Sequence, residues 1–275
     1  MTDTPALDFS ELLAELVRFL TLEPAPGEWA GQPPEWDWSG DYLFGGLVVA
    51  QALMAASRDV PAGTRIHSMH GYFLRPVRSD AGVDYLVTDL RRGRNFTTRR
   101  LQATQGDKAV FDMTYSLTSD ADVDGYVYDL AAPATFPELD DGSPTEPGPG
   151  PWESVRLGPS PASDTGTRES THRMWFRIPG DLPDDPHLHT ALLGFATDWT
   201  GVGGRPLHLE GDPLGMVSLD HAVWFHRSAR VDAWLSYDVQ ALVNARGRGL
   251  LRGVIRNPDG EIVASVAQEM LLAVI

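Results

Sequence analysis

The sequence predicts an α+β chain made of two copies of one unit. Each unit is a buried helix followed by antiparallel strands, and the two sheets join edge to edge with both helices on the same side. Three observations carry this. A helix pattern that is apolar almost all round occurs in the first half, from Phe44 to Ser57, and a second helix pattern follows Pro186. Each is followed by strand-like runs separated by turn residues. Short motifs also recur. Tyr72-Phe73-Leu74-Arg75 matches Trp224-Phe225-His226-Arg227, Arg92-Gly93-Arg94 matches Arg246-Gly247-Arg248, and Gln105-Gly106-Asp107 matches Asp259-Gly260-Glu261. The interval is about 152 residues at the first pair and about 154 at the others, which indicates an internal duplication.

The elements follow in order. Asp8 and Glu11 have capping-box spacing and open a helix whose apolar stripe is Phe9, Leu12, Leu13, Leu16, Val17 and Leu20. Residues 22–41 hold four prolines and Trp29, Trp36 and Trp38, an irregular segment too aromatic to stay unpacked. The helix at 44–57 comes next, then strands at 66–74, 83–89, 95–104 and 109–118. Residues 120–165 are rich in Asp, Pro, Gly and Ser and read as a linker or surface excursion. They divide a first repeat, 1–119, from a second, 166–275. In the second repeat Asp185 and Pro186 give an N-cap and a first helical residue, and Leu188, Leu192, Phe195 and Trp199 line the helix. Strands follow at 216–227, 234–244, 249–257 and 262–273.

Composition narrows the function classes. A net charge of −16 argues against a nucleic-acid binder, because phosphate contacts need a basic surface. No apolar run approaches the roughly 20 residues that span a bilayer, and no signal peptide is seen. With no cysteine there is no thiolate nucleophile or disulfide, which is compatible with a cytoplasmic location.

Polar residues concentrate in the strand Ser218–Arg227, read with Asp198 before it and Gln268 after it. Strict alternation puts Ser218 and Asp220 on one face and His221 on the other. His221 and His226 then point apart, so no shared metal is expected. His187 and His189, near a helix start, are expected in solvent. Asp198 falls near the C-terminal end of its helix, where the dipole disfavours a carboxylate and burial would raise its pKa. That suits a general base; a plain cap of the following loop is the other option. Ser218 and Gln268 can each donate and accept, so they can fix a water, or they can serve ordinary strand hydrogen bonds. No Gly-x-Ser-x-Gly elbow is present, so a serine nucleophile is not indicated. Gly45-Gly46 opens the first buried helix and leaves N–H groups accessible to a carbonyl oxygen, or simply permits tight entry of the chain.

Four segments in this order resemble the acyl-CoA thioesterase II family: Phe44 to Leu53, His67 to Pro76, Leu219 to Arg227 and Ala264 to Glu269. The resemblance spans about residues 10 to 275. It implies a tandem (double) hotdog fold and hydrolysis of acyl-CoA to free acid and coenzyme A by an activated water, without metal or organic cofactor. It implies catalytic roles for Asp198, Ser218 and Gln268. Gly45 and Gly46 would meet the thioester carbonyl. The arginines at 91, 92, 94, 99 and 100, and at 246, 248, 252 and 256, with Arg94 and Arg248 foremost, can meet the coenzyme A phosphates or simply be charged edges and turns of a solvated sheet. A homo-oligomer, dimer or tetramer, is also implied. The glycine-rich segment between Asp198 and Ser218 is shorter than the family pattern. Sliding one repeat onto the other sets Ser57 against Asp198, Ile66 against Ser218 and Thr114 against Gln268, so one catalytic centre per chain is expected. The alternatives are a non-catalytic acyl-CoA-binding protein and a hotdog hydratase or dehydratase. For the latter, an Asp-to-His spacing of five is missing, since Gly203 stands there.

Overall fold

A computed structural model describes residues 9–25, 28–34, 40–119, 128–130, 145–156, 171–199 and 216–272. In the first half these form α1 (Phe9–Leu20), β1 (Leu22–Ala25), β2 (Glu28–Gly31), α2 (Gly45–Ala56), β3 (Thr64–Phe73), β4 (Val83–Arg92), β5 (Phe96–Gln105) and β6 (Lys108–Ser119). Then come β7 (Glu146–Pro147), β8 (Glu153–Arg156), β9 (Thr171–Arg177), α3 (Pro186–Thr197), β10 (Met216–Ser218), β11 (Asp220–Phe225), β12 (Leu235–Ala245), β13 (Arg248–Arg256) and β14 (Ile262–Leu272).

The strands make one antiparallel sheet in the order β1-β2-β4-β5-β6-β3-β11-β14-β13-β12-β9-β8-β7, with β10 also on β14. The halves meet where β11 pairs with β3, from Asp220 against Tyr72 to Trp224 against Ser68. The two buried helices pack on each other on one side of this seam. Gly46 lies against Phe195 O, and Gly194 against Leu53 and Val49, with too little room for a Cβ at either glycine. The expected edge-to-edge double hotdog is thus the observed architecture.

The duplication is written into the irregularities of the sheet. Register shifts fall between Ile66 and Ser68, between Asp89 and Arg91, and between Ala103 and Thr104. Their counterparts in the second half lie at Leu219, between Ala241 and Val243, and between Ile255 and Arg256. Matching bulges at matching positions bend both sheets around their helices.

Local chemistry explains the helices. α3 starts as expected: Asp185 accepts from His187 N–H at 2.9 Å, and Pro186 takes the first turn. α2 has no side-chain N-cap; Phe44 is extended there. Its first N–H groups are therefore left for another acceptor. Asp8 lies outside the described residues, so the capping box of α1 is not seen.

Three expectations are revised. β1 (Leu22–Ala25) and β2 (Glu28–Gly31) pair antiparallel, with Trp29 packed on the core; Trp36 and Trp38 lie outside the described residues. Within the stretch read as linker, 145–156 carries β7, β8 and the buried Trp152, whose ring stacks on Phe195 at 5.5 Å. A composition of Pro and Gly hid these because two- to four-residue strands are held by a neighbour, not by their own pattern. His189 is buried, its Nδ1 accepting from Val231 N–H, because α3 is enclosed from its first turn.

Candidate active site

The strand expected at 216–227 breaks at Leu219. Leu219 N–H donates to Glu269 O at 2.9 Å, and the Asp220 carboxylate accepts from Glu269 N–H at 2.8 Å. Side-chain parity changes across this break. Ser218 and His221, predicted on opposite faces, both reach the last turn of α3, at Asp198 and Thr197 respectively. Asp220 thus acts as a structural acceptor at the break.

Asp198 caps the C-terminal end of α3 and is 3% exposed. Ser218 Oγ donates to its Oδ1 at 3.0 Å. Gln268 Nε2 donates to the same Oδ1 and, at 2.7 Å, to Ser218 Oγ. The structure therefore brings together the three residues singled out in the sequence, from α3, β10 and β14. A fourth contact was not foreseen: the Gly46 N–H, at the uncapped start of α2, also donates to the Asp198 carboxyl. Burial pushes this carboxyl up to about 7, and the hydrogen bonds from Ser218, Gln268 and Gly46 offset part of that rise.

The last turn of α3 is anchored separately. Thr197 Oγ1 donates to Gly194 O and lies 2.7 Å from His221 Nε2. Its one proton is already used, so the imidazole is the donor to it. Burial lowers the His221 pKa to about 3, which keeps the ring neutral. Tyr237 OH donates to Thr197 O at 2.9 Å.

Asp198 and Ser218 face a cavity of about 650 Å³, within the roughly 300–1,000 Å³ usual for small-ligand sites. Phe44, Val48, Phe73, Val77 and Met270 are among its apolar lining residues, and Tyr42 and Val217 are exposed at it. One side is closed by pairing of residues 41–43 with 77–79, as in Leu43 N–H to Val77 O at 2.8 Å. No local motif announces that long-range contact.

The two predicted glycines divide their roles. Gly45 lines the cavity, and a Cβ on it would stand 2.6 Å from Asp198 Oδ2. Gly46 does not line the cavity; its N–H is given to Asp198. Arg248 is paired with Glu269 and stands cross-strand from Leu271, itself the partner of the cavity residue Val217. That is two strands, about 10 Å, from the cavity. Arg94 is exposed beyond β4, near the Thr64 end of β3, on the order of 30 Å along that strand from Phe73. The two arginines are thus not at one site. Arg75, not singled out in the sequence, does line the cavity.

The first repeat lacks the constellation. Ser57 caps α2 where Asp198 caps α3, and its hydroxyl donates to Leu53 O. Gln268 corresponds to Tyr115, not to Thr114. Val110 and Val263 are the equivalent bulge residues, and counting from them sets buried Tyr115 opposite buried Gln268. The turn motifs misled the count by one because the interval shortens by one residue at the bulge.

Fold and site together define a double-hotdog protein with a buried carboxylate at one apolar cavity. Comparison with known proteins gives the family. The acyl-CoA thioesterase N-terminal domain matches residues 32–118, and the acyl-CoA thioesterase C-terminal domain matches 129–272. The chain belongs to this acyl-CoA thioesterase family and is a thioester hydrolase. It is 28% identical to acyl-CoA thioesterase 2 of Haemophilus influenzae, over 96% of this chain and 98% of that one. It is 28% identical to human acyl-coenzyme A thioesterase 8, over 84% of this chain and 81% of that one. Among solved structures, acyl-CoA thioesterase II TesB2 from Mycobacterium marinum superposes with a TM-score of 0.81 at 32% identity, over 94% of this chain and 98% of that one. No described helix is long and apolar enough to cross a membrane.

Proposed function

We propose that Asp198 is the general base that hydrolyses acyl-CoA thioesters in the 650 Å³ cavity, with Ser218 and Gln268 orienting it and its water. The observation that supports this is one buried carboxyl, held by both neutral partners and facing an apolar cavity, with a pKa raised to about 7. A base poised near the working pH combines a useful ionised fraction with proton affinity.

Asp198 takes a proton from a water that attacks the thioester carbonyl carbon. The carbonyl oxygen becomes an oxyanion beside Gly45, whose N–H is in the first turn of α2, at its positive end. The intermediate collapses, the C–S bond breaks, and the proton held by Asp198 passes to the leaving thiolate. The products are a carboxylic acid and coenzyme A. Gly46 N–H serves Asp198 and not the carbonyl, so the donor role falls to Gly45 alone. Apolar walls give the acyl chain its place. Arg75, which lines the cavity, and Arg248, two strands from it, are available for the coenzyme A phosphates.

The test is release of free coenzyme A from acyl-CoAs of graded length. Wild type turns over, and Asp198→Asn loses about 10²-fold or more in kcat, as loss of a general base implies. Undiminished turnover by the variant would remove Asp198 from this role. Absence of turnover by wild type on every substrate would favour the non-catalytic binding protein. The dehydratase alternative has less support, because His221 is buried on Thr197 and is not a cavity residue. We also infer a homo-oligomer, dimer or tetramer, from the apolar residues Leu74, Val217, Leu242 and Val243 exposed on the surface, and a cytoplasmic location, with which the cysteine-free composition is compatible.

A further inference from the structure

A second cavity, lined mainly by charged side chains, lies in the first repeat, beyond the C-terminal end of α2. Its volume is about 180 Å³, and Arg58, Asp59, Asp89, Arg92 and Arg99 line it with Trp29. Arg99 is buried, and its Nε donates to Asp89 Oδ1 at 2.8 Å. Arg92 Nε donates to the other oxygen of the same carboxylate at 2.6 Å. The Arg58 guanidinium lies over the Trp29 ring, 5.1 Å from its centre. Its Nε is buried and has no hydrogen-bond partner among the described residues. Three guanidinium groups therefore face two carboxylates, one of which already serves two arginines. In a chain of net charge −16, such a concentration of positive charge does not follow from composition. A buried donor on a cation is costly until an acceptor reaches it.

The duplication shows that the fold does not require these residues. Arg58 follows the cap of α2 as Trp199 follows the cap of α3. Trp199 belongs to an apolar cluster with Trp152 and Phe176. Arg99 in β5 occupies the position that buried Leu251 occupies in β13. The second repeat fills both places with hydrophobic core, and the first fills them with cations around a space.

We infer that this cavity binds a phosphate-class oxyanion. Guanidinium groups offer paired N–H donors that match such oxygens. The volume equals about six waters at roughly 30 Å³ each, enough for one tetrahedral anion with part of its hydration. α2 has 12 residues and so is about 18 Å long, which separates this cavity from Gly45 and Asp198 at the other end. Two sources share the chemistry: free inorganic phosphate or pyrophosphate, and the phosphates of a coenzyme A molecule.

Calorimetric titration with phosphate and with pyrophosphate, at constant ionic strength, tests the inference on the intact chain. Saturable binding of one anion per chain is expected, weakened at least tenfold in Arg58→Gln with an unchanged urea midpoint. No saturable binding of either anion by wild type, or equal affinity in the variant, would overturn it. Kinetics then separate the sources. A several-fold rise in KM for acyl-CoA in Arg58→Gln, at unchanged kcat, assigns the site to the substrate's phosphates. Unchanged KM with weakened pyrophosphate binding assigns it to the free anion. Failure of the protein to hydrolyse any thioester would defeat the proposal for Asp198 and leave the titration result standing.

Discussion

The carboxyl of Asp198 sits at the end of α3, where the helix carbonyls and the loss of water both work against its charge. Burial dominates, and the folded pKa is about 7 against an ordinary 3.8. Two outcomes follow from the sign of this shift. First, kcat/KM rises with pH through about 7 and levels above it, because the base acts only when ionised; a profile flat from pH 5 to 9 would contradict this. Second, a raised folded pKa contributes stability that is fully present below 3.8 and is lost as pH rises through 7. Asp198→Asn removes that dependence. The variant should be more stable than wild type at pH 8, by up to about 4 kcal/mol at 1.36 kcal/mol per pKa unit. The gain should vanish toward pH 4, as urea midpoints across this range would show. The identity of Asp198 was legible in the sequence through its neighbours in a family pattern. Its third partner, the Gly46 N–H, was not, since no spacing connects residues in different repeats.

At the scale of elements, the site depends on where α2 begins and where the strand before β11 breaks. The start of α2 has no capping side chain, so Asp198 of the facing helix serves as acceptor for its Gly46 N–H. This arrangement requires close helix approach. A Cβ at Gly46 would stand 2.5 Å from Phe195 O, a backbone atom that cannot swing aside. Gly46→Ala should therefore cost about 1–3 kcal/mol of stability, in the range of overpacked cores. It should also lower kcat by displacing the N–H from Asp198. A urea titration and steady-state kinetics on the same preparation would check both, and wild-type values for the two would refute the contact. The break at Leu219 shows why a two-residue period misassigned His221: one inserted residue reverses every side chain beyond it. The matching break at His67 in β3 was equally invisible, because neither position carries a Gly or Pro to mark it.

At the scale of the whole molecule, neither repeat covers its own helix. α2 and α3 bury each other, and β3 and β11 satisfy each other's backbone groups at the seam. The proposed catalytic groups come from the second repeat, while Phe44, Gly45, Val48, Phe73 and Val77 of the cavity come from the first. Expressed alone, residues 1–119 and 120–275 should each expose the seam strand and one apolar helix, giving no cooperative unfolding transition and no turnover. Mixed during refolding, the two fragments should regain coenzyme A release. A cooperative transition in either isolated fragment would contradict this dependence.

The sequence by itself determined the duplicated architecture, because a buried helix and its strands carry a hydrophobic period that local order preserves. It also singled out Asp198, Ser218 and Gln268 as candidates, because the segments that carry the family resemblance keep type and order along the chain. Only the tertiary structure decided which atoms meet. The split roles of Gly45 and Gly46, the replacement of Thr114 by Tyr115 as the counterpart of Gln268, and the separation of Arg94 from Arg248 all depend on bulges and on contacts between repeats. Such contacts join residues far apart in sequence, and their geometry is set by the packing of both halves at once.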